Sequence, residues 1–101
     1  MLTGKQKRYL RSLGVNLEPI LHVGKEGVTP TVVGQAVTAL AARELIKVRV
    51  LETAPLTASG VGEGLATATA SELVQVIGRN LLLYKRSPDK PKIGLPERAS
   101  S

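Results

Sequence analysis

The chain has 101 residues, with 14 Lys and Arg against 8 Asp and Glu and a formal net charge of +6. A single domain of that length buries roughly two-thirds of its unfolded surface. Its core has to be built from 15 Leu, 11 Val and 10 Ala, because there is no Phe and no Trp. The lack of cysteine excludes disulfides and thiolate metal sites, no apolar run reaches transmembrane length, and so basic a chain points to a polyanion such as nucleic acid.

A first helix is predicted from Thr3-Gly4-Lys5-Gln6, where Thr3 is a good N-cap and Gln6 stands at the capping-box spacing. At helical pitch Gln6, Tyr9, Leu10 and Leu13 share one arc, and Lys5, Lys7, Arg8 and Arg11 fill the opposite side. No acidic residue precedes Glu18, so nothing nearby in the chain neutralises this stripe. Gly14 is expected to stop the helix. Pro19-Ile20-Leu21-His22-Val23 then reads as a short strand. After a loop, Thr29 is placed as an N-cap with Pro30 at the first helical position. Val32, Val33, Ala36, Val37, Leu40 and Ala41 recur at helical spacing and are expected to face a core. Leu45 to Val50 alternates with period two, with Ile46, Val48 and Val50 inward and Lys47 and Arg49 outward. Strand, helix and strand in this order favour a right-handed crossover between parallel strands.

The Ala/Thr/Gly-rich stretch 52–71 predicts a third helix over about 61–70, weakened by Gly62 and Gly64 at about 1 kcal/mol each. In "LVQVIGRNLLLYKR" two apolar runs meet at Gly78-Arg79-Asn80, which reads as a hairpin. The proline-rich end is expected to be extended, with Ile93 and Leu95 docked and 97–101 disordered. The expected architecture is one α/β domain over 1–96, in the order α-β-α-β-α-β-β, with helices packed on a four-stranded mixed sheet.

Catalytic chemistry finds little support. "GVGEG" has Leu65 where a dinucleotide fingerprint needs its third glycine, and no Walker A ending is present. His22 is the only histidine, the carboxylates are scattered, and no nucleophile has an evident base partner. No enzyme activity, metal, cofactor or small-molecule substrate is expected.

The stretch "HVGKEGVTPTVV" is more informative. A surface turn needs at most one glycine, yet Gly24 and Gly27 bracket Lys25 and Glu26. Either the backbone makes a sharp strand-to-helix turn, or something approaches it closely. Glycines at i and i+3 uncover backbone N–H groups, and the helix starting after Thr29 aims its positive end at the same place. This is the logic by which a GXXG loop clamps a nucleic-acid backbone in KH domains. Two tyrosines cannot build the stacking platform of an RRM, so clamping and shape would have to dominate. The candidate phosphate donors are the N–H groups of Gly24, Lys25, Glu26, Gly27 and Val28, with Lys25 as the adjacent point charge and Glu26 as an opposing one. Lys5, Lys7, Arg8 and Arg11 supply the electrostatic footprint, joined by Lys47, Arg49 and Arg79.

Five segments, "LTGKQKRYLRSL", "HVGKEGVTPTVV", "ARELIKVRV", "LVQVIGRNLLLYKR" and "KIGLP", stand in this order over residues 2–96. Together they resemble the bacterial YhbY-like proteins, which are single CRM domains. The resemblance implies a fold like the C-terminal domain of translation initiation factor three, with its GXXG loop at Gly24 to Gly27. It also implies RNA binding and association with precursors of the large ribosomal subunit. The chain is therefore expected to be a monomeric, cytoplasmic, non-membrane protein that binds ribosomal RNA during ribosome biogenesis. The alternative is a protein-interaction module that docks on an acidic ribosomal or translation factor.

Overall fold

The computed structural model describes residues 2–87 and 93–96. Its elements are α1 (Gly4–Gly14), β1 (Pro19–Val23), α2 (Pro30–Arg43), β2 (Leu45–Val50), α3 (Ala58–Thr69), β3 (Glu72–Ile77) and β4 (Asn80–Tyr84), the expected order. The strands form one mixed sheet, β1-β2-β4-β3, in which β1 and β2 are parallel and β4 runs antiparallel to both neighbours. Alternation along the strands splits the core in two. Ile46, Val48, Val50, Leu81 and Leu83 pack with Ala36 and Leu40 of α2 and Val61 and Leu65 of α3. Leu45, Leu82, Tyr84 and Val74 pack on the other face with Leu10 of α1. A register shift between Leu73 and Gln75 lets Val74 join that second cluster.

The capping box of α1 is complete: Thr3 Oγ1 accepts the Gln6 N–H at 3.1 Å, and Gln6 Oε1 accepts the Thr3 N–H at 3.0 Å. Gln6 Nε2 also donates to the Pro96 carbonyl at 3.0 Å, which accounts for a buried glutamine within an apolar arc. Ile93 and Leu95 pack on the same cluster, as expected, while 97–101 lie outside the described residues.

Three expectations need correction. Gly14 does not end α1 in a left-handed cap; it is helical and buried, and the C-cap Val15 is right-handed. A Cβ at Gly14 would collide with Leu82 Cδ1 and lie 2.9 Å from Cδ2, so the glycine is there for close helix–sheet approach. The third helix starts at Ala58 rather than Val61, because Thr57 Oγ1 caps it by accepting the Gly60 N–H at 3.0 Å. Gly62 within it faces the sheet, where a Cβ would come 2.8 Å from Leu73 Cδ1. On α2 the apolar face is only partly used, since Val37 and Ala41 stay exposed while Ala36 and Leu40 are buried.

Two stability predictions follow from packing. Gly34 in mid-α2 has open space around its Cβ position, so Gly34→Ala should raise unfolding stability by about 0.5–1 kcal/mol, whereas Gly14→Ala should lower it by about 1–3 kcal/mol through overpacking. Urea denaturation of the two variants measures both signs. Tyr84 is buried with its hydroxyl unpartnered, and burial, then the Glu44 charge, pushes its pKa above the ordinary value of 10.0, against a lowering by Arg86. A raised folded-state pKa keeps stability intact below the unfolded value and loses it as pH rises beyond about 10. Tyr84→Phe should therefore hold or gain stability at neutral pH and flatten the alkaline fall in melting temperature.

Candidate nucleic-acid interface

Three loops share one end of the sheet. The parallel strands β1 and β2 both run to that end, and the Leu51 N–H continues their ladder to the Val23 carbonyl at 2.8 Å. Arg49 pairs with Asn80, and the Arg79 carbonyl accepts the Val50 N–H at 2.7 Å, so the β3–β4 turn lies alongside. The loop after β1 leans on the loop after β2: a Cβ at Gly24 would meet Leu51 Cδ1 at 3.5 Å, and one at Gly27 would meet Pro55 Cγ at 3.4 Å.

The two glycines have different reasons. The Gly27 N–H donates to the Gly24 carbonyl at 2.9 Å and closes a tight turn, with Gly27 at φ 70. That left-handed backbone is what Gly27 is needed for. Gly24 has neither positive φ nor a tight Cβ contact, so the turn itself does not demand a glycine there. Closure of the turn takes the Gly27 N–H out of the set of candidate donors. Among the described residues the N–H groups of Gly24, Lys25, Glu26 and Val28 donate to no protein acceptor. Just beyond them Thr29 Oγ1 caps α2 by accepting the Val32 N–H at 3.1 Å. The loop thus holds unpaired backbone donors next to the positive end of a 14-residue helix.

The basic residues are distributed along one face rather than gathered around the loop. Lys47 and Arg49 share the parity of Leu45 and so lie on the α1 face, with exposed His22 opposite Arg49. Arg79 sits in the β3–β4 turn at the loop end. α1 begins at the far end, where the Leu2 N–H reaches Glu72 Oε2 at 2.9 Å, and its last turn lies over Leu82. Along the helix axis Lys5 is therefore about 13 Å and Arg8 about 9 Å from the end of α1 at Gly14, and Arg11 in the last turn is nearer. Lys5 and Arg8 are exposed, while Lys7 and Arg11 are half-buried, and Arg11 Nε is shielded without a hydrogen-bond partner. None of these cations forms an ion pair among the described residues. Glu52, in the loop after β2, joins Glu26 as a second exposed carboxylate at this end. Nothing in the local sequence around Glu52 signals that placement, since only the parallel pairing of β1 with β2 creates it.

Among the described residues no group of His, Asp and Glu is arranged to hold a metal ion, and no helix is long and apolar enough to cross a membrane.

The model of the CRS1 / YhbY (CRM) domain family matches residues 2–85, which takes in α1, the glycine loop and the whole sheet. The chain belongs to the CRM domain family. It is 49% identical over 96 residues, 95% of this chain and 100% of the other, to the probable RNA-binding protein YqeI of Bacillus subtilis. A Haemophilus influenzae protein named RNA-binding protein is 35% identical, covering 96% of this chain and 97% of that one. The solution structure of a hypothetical protein from Staphylococcus aureus, for which RNA binding has been proposed, superposes with a TM-score of 0.77 at 45% identity, over 95% of this chain and 100% of that one. The α/β order read from this sequence is therefore that of a CRM fold.

Within this CRM domain the glycine pair makes a sharp prediction about stability. Gly27→Ala should cost about 1–2 kcal/mol, because alanine is strained at φ 70, while Gly24→Ala should stay within about 0.5 kcal/mol. Thermal melts of the two variants side by side test this difference.

Proposed function

We propose that this CRM domain is an RNA-binding protein that holds the RNA backbone at the glycine loop. It acts by binding rather than by catalysis. The observation that carries this reading is the set of N–H groups on Gly24, Lys25, Glu26 and Val28 that have no acceptor among the described residues, next to the capped start of α2, in a chain of net charge +6. Each N–H to phosphate hydrogen bond is charge-assisted and strong for its kind. Gly27 shapes the turn that presents these groups, and Gly24 lets the phosphodiester come close. Lys25 is the local point charge. Arg49, Lys47 and Arg79 extend the positive surface across the sheet end, and Arg11, Lys7, Arg8 and Lys5 carry it along α1. Its relatives are named as RNA-binding proteins, which supports the same partner here. The target that best fits the YhbY-like resemblance is ribosomal RNA in precursors of the large subunit, bound by a monomer in the cytoplasm.

The experiment is a salt titration of RNA binding. If about five phosphates of a largely single-stranded RNA are neutralised, log K should fall with log[salt] at a slope of about −3.5, on the order of 100-fold between ~50 and ~200 mM. Replacing Lys5, Arg8 and Arg11 with Gln should leave the melting temperature nearly unchanged and flatten that slope by about 2. Glu26→Asn should tighten binding, and Gly24→Ala should weaken it without loss of stability. A slope near zero, with a folded protein, would remove the electrostatic footprint and favour docking on an acidic protein factor instead.

A further inference from the structure

Beyond the last turn of α1 the sheet face is left open, and a slot of about 130 Å3 sits there. It is lined by Gly14 and Val15 at the end of α1 and by three neighbouring strands, Lys47 on β2, Asn80 and Leu82 on β4, and Gln75 and Ile77 on β3. Three features of this slot are unexplained by folding. Val15 and Ile77 hold large aliphatic side chains in water, at 76% and 62% exposure, and both line the slot. Asn80 Oδ1 is shielded from solvent yet accepts no hydrogen bond, an arrangement folded proteins seldom leave in place. Lys47 lines the slot and forms no ion pair among the described residues.

We infer that this slot takes one unstacked nucleobase of a single-stranded RNA, with the backbone on either side crossing Lys47 and Arg49. The inference rests on the RNA-binding reading above and adds to it a site for the base. A nucleobase has apolar faces and a polar edge, which matches aliphatic walls with two amide side chains, Asn80 and Gln75, at their margin. The volume is well below the ~300–1,000 Å3 of pockets for drug-sized ligands and suits a single heterocycle. Charge selects the polymer. No Asp or Glu lines the slot, while Lys47 does, with Arg49 next on the same face and Arg79 in the adjoining turn. The slot lies between β3, β4 and the end of α1, about 10–15 Å across the sheet from the glycine loop on β1. One short strand of RNA can therefore reach both. Aliphatic walls replace the aromatic platforms that this chain, with two Tyr and no Phe or Trp, lacks.

The test uses 15N-labelled protein and four octaribonucleotides of single base type, with an abasic octamer of the same length and charge as the control. Every oligomer should shift the amides of residues 24–28. Only the base-bearing ones should also shift Val15, Ile77 and the Asn80 side-chain amide, and one base should be preferred by about fivefold, the worth of one hydrogen bond. Asn80→Ala should abolish that preference with an unchanged salt slope and melting temperature. Ile77→Ser, at an exposed position, should bring base-bearing affinity toward the abasic value. Loop amides that move while slot amides stay still with every oligomer overturn the base site and spare the RNA-binding reading, leaving the apolar rim to a protein partner. If no amide moves with any oligomer, both readings fall.

Discussion

Glu44 is the residue on which closure of the fold depends. It is fully buried at the end of α2, with a positive φ of 64 that non-glycine residues seldom adopt. Its N–H donates to the Leu40 carbonyl at 2.8 Å and its carbonyl accepts the Lys85 N–H at 2.9 Å. Its carboxylate oxygens accept the Ser87 N–H at 2.6 Å and the Ile93 N–H at 2.7 Å. One residue, through its backbone and its carboxylate, thus joins the end of α2, the residues after β4 and the segment at Ile93. Removing it would take the carboxylate acceptor away from two part-buried backbone donors and is expected to cost more than losing an exposed contact.

That anchor has consequences on the α1 face. With residue 93 held by Glu44, Ile93 and Leu95 pack beside Leu10, Leu45 and Tyr84, and the Pro96 carbonyl meets Gln6. The C-terminal segment and α1 together cover one half of this face. The other half, toward the loops, carries His22, Lys47 and Arg49 and stays open. The division of labour is physical: one end of the sheet is closed by a buried carboxylate, and the other presents backbone donors and cations that form no ion pair among the described residues. The loops there stand on a parallel pair and a two-residue hairpin turn, so a flexible-looking glycine stretch is held in one geometry by rigid strands.

Local signals in the chain were strong wherever a residue's role is decided by its neighbours in sequence. Thr3 with Gln6 and Thr29 with Pro30 marked two helix starts, because capping uses groups three residues apart. Alternation in 45–50 separated core from surface, and the Gly78-Arg79 turn was visible between two apolar runs. The start of α3 was less clear because Thr57 caps it within a stretch already rich in Thr, Ala and Gly. The left-handed Ala70 that ends it carries no sequence mark at all.

By itself, then, the sequence determined the order of elements, the parallel pair, the hairpin, the candidate loop and the excess of positive charge, since each depends on periodicity, spacing or composition. Only the tertiary structure decided that Gly14 and Gly62 serve close helix–sheet approach, because each meets a leucine far away in the chain. Only it decided that the Gly27 N–H is spent within the turn while those of Gly24, Lys25, Glu26 and Val28 have no acceptor among the described residues. It also brought the loop that carries Glu52 against the glycine loop and put the start of α1, with Lys5, at the other end of the sheet. It buried Glu44 where it secures the returning chain. The common reason is that burial and hydrogen-bond partnership are properties of the space around a residue, and residues distant in sequence create that space.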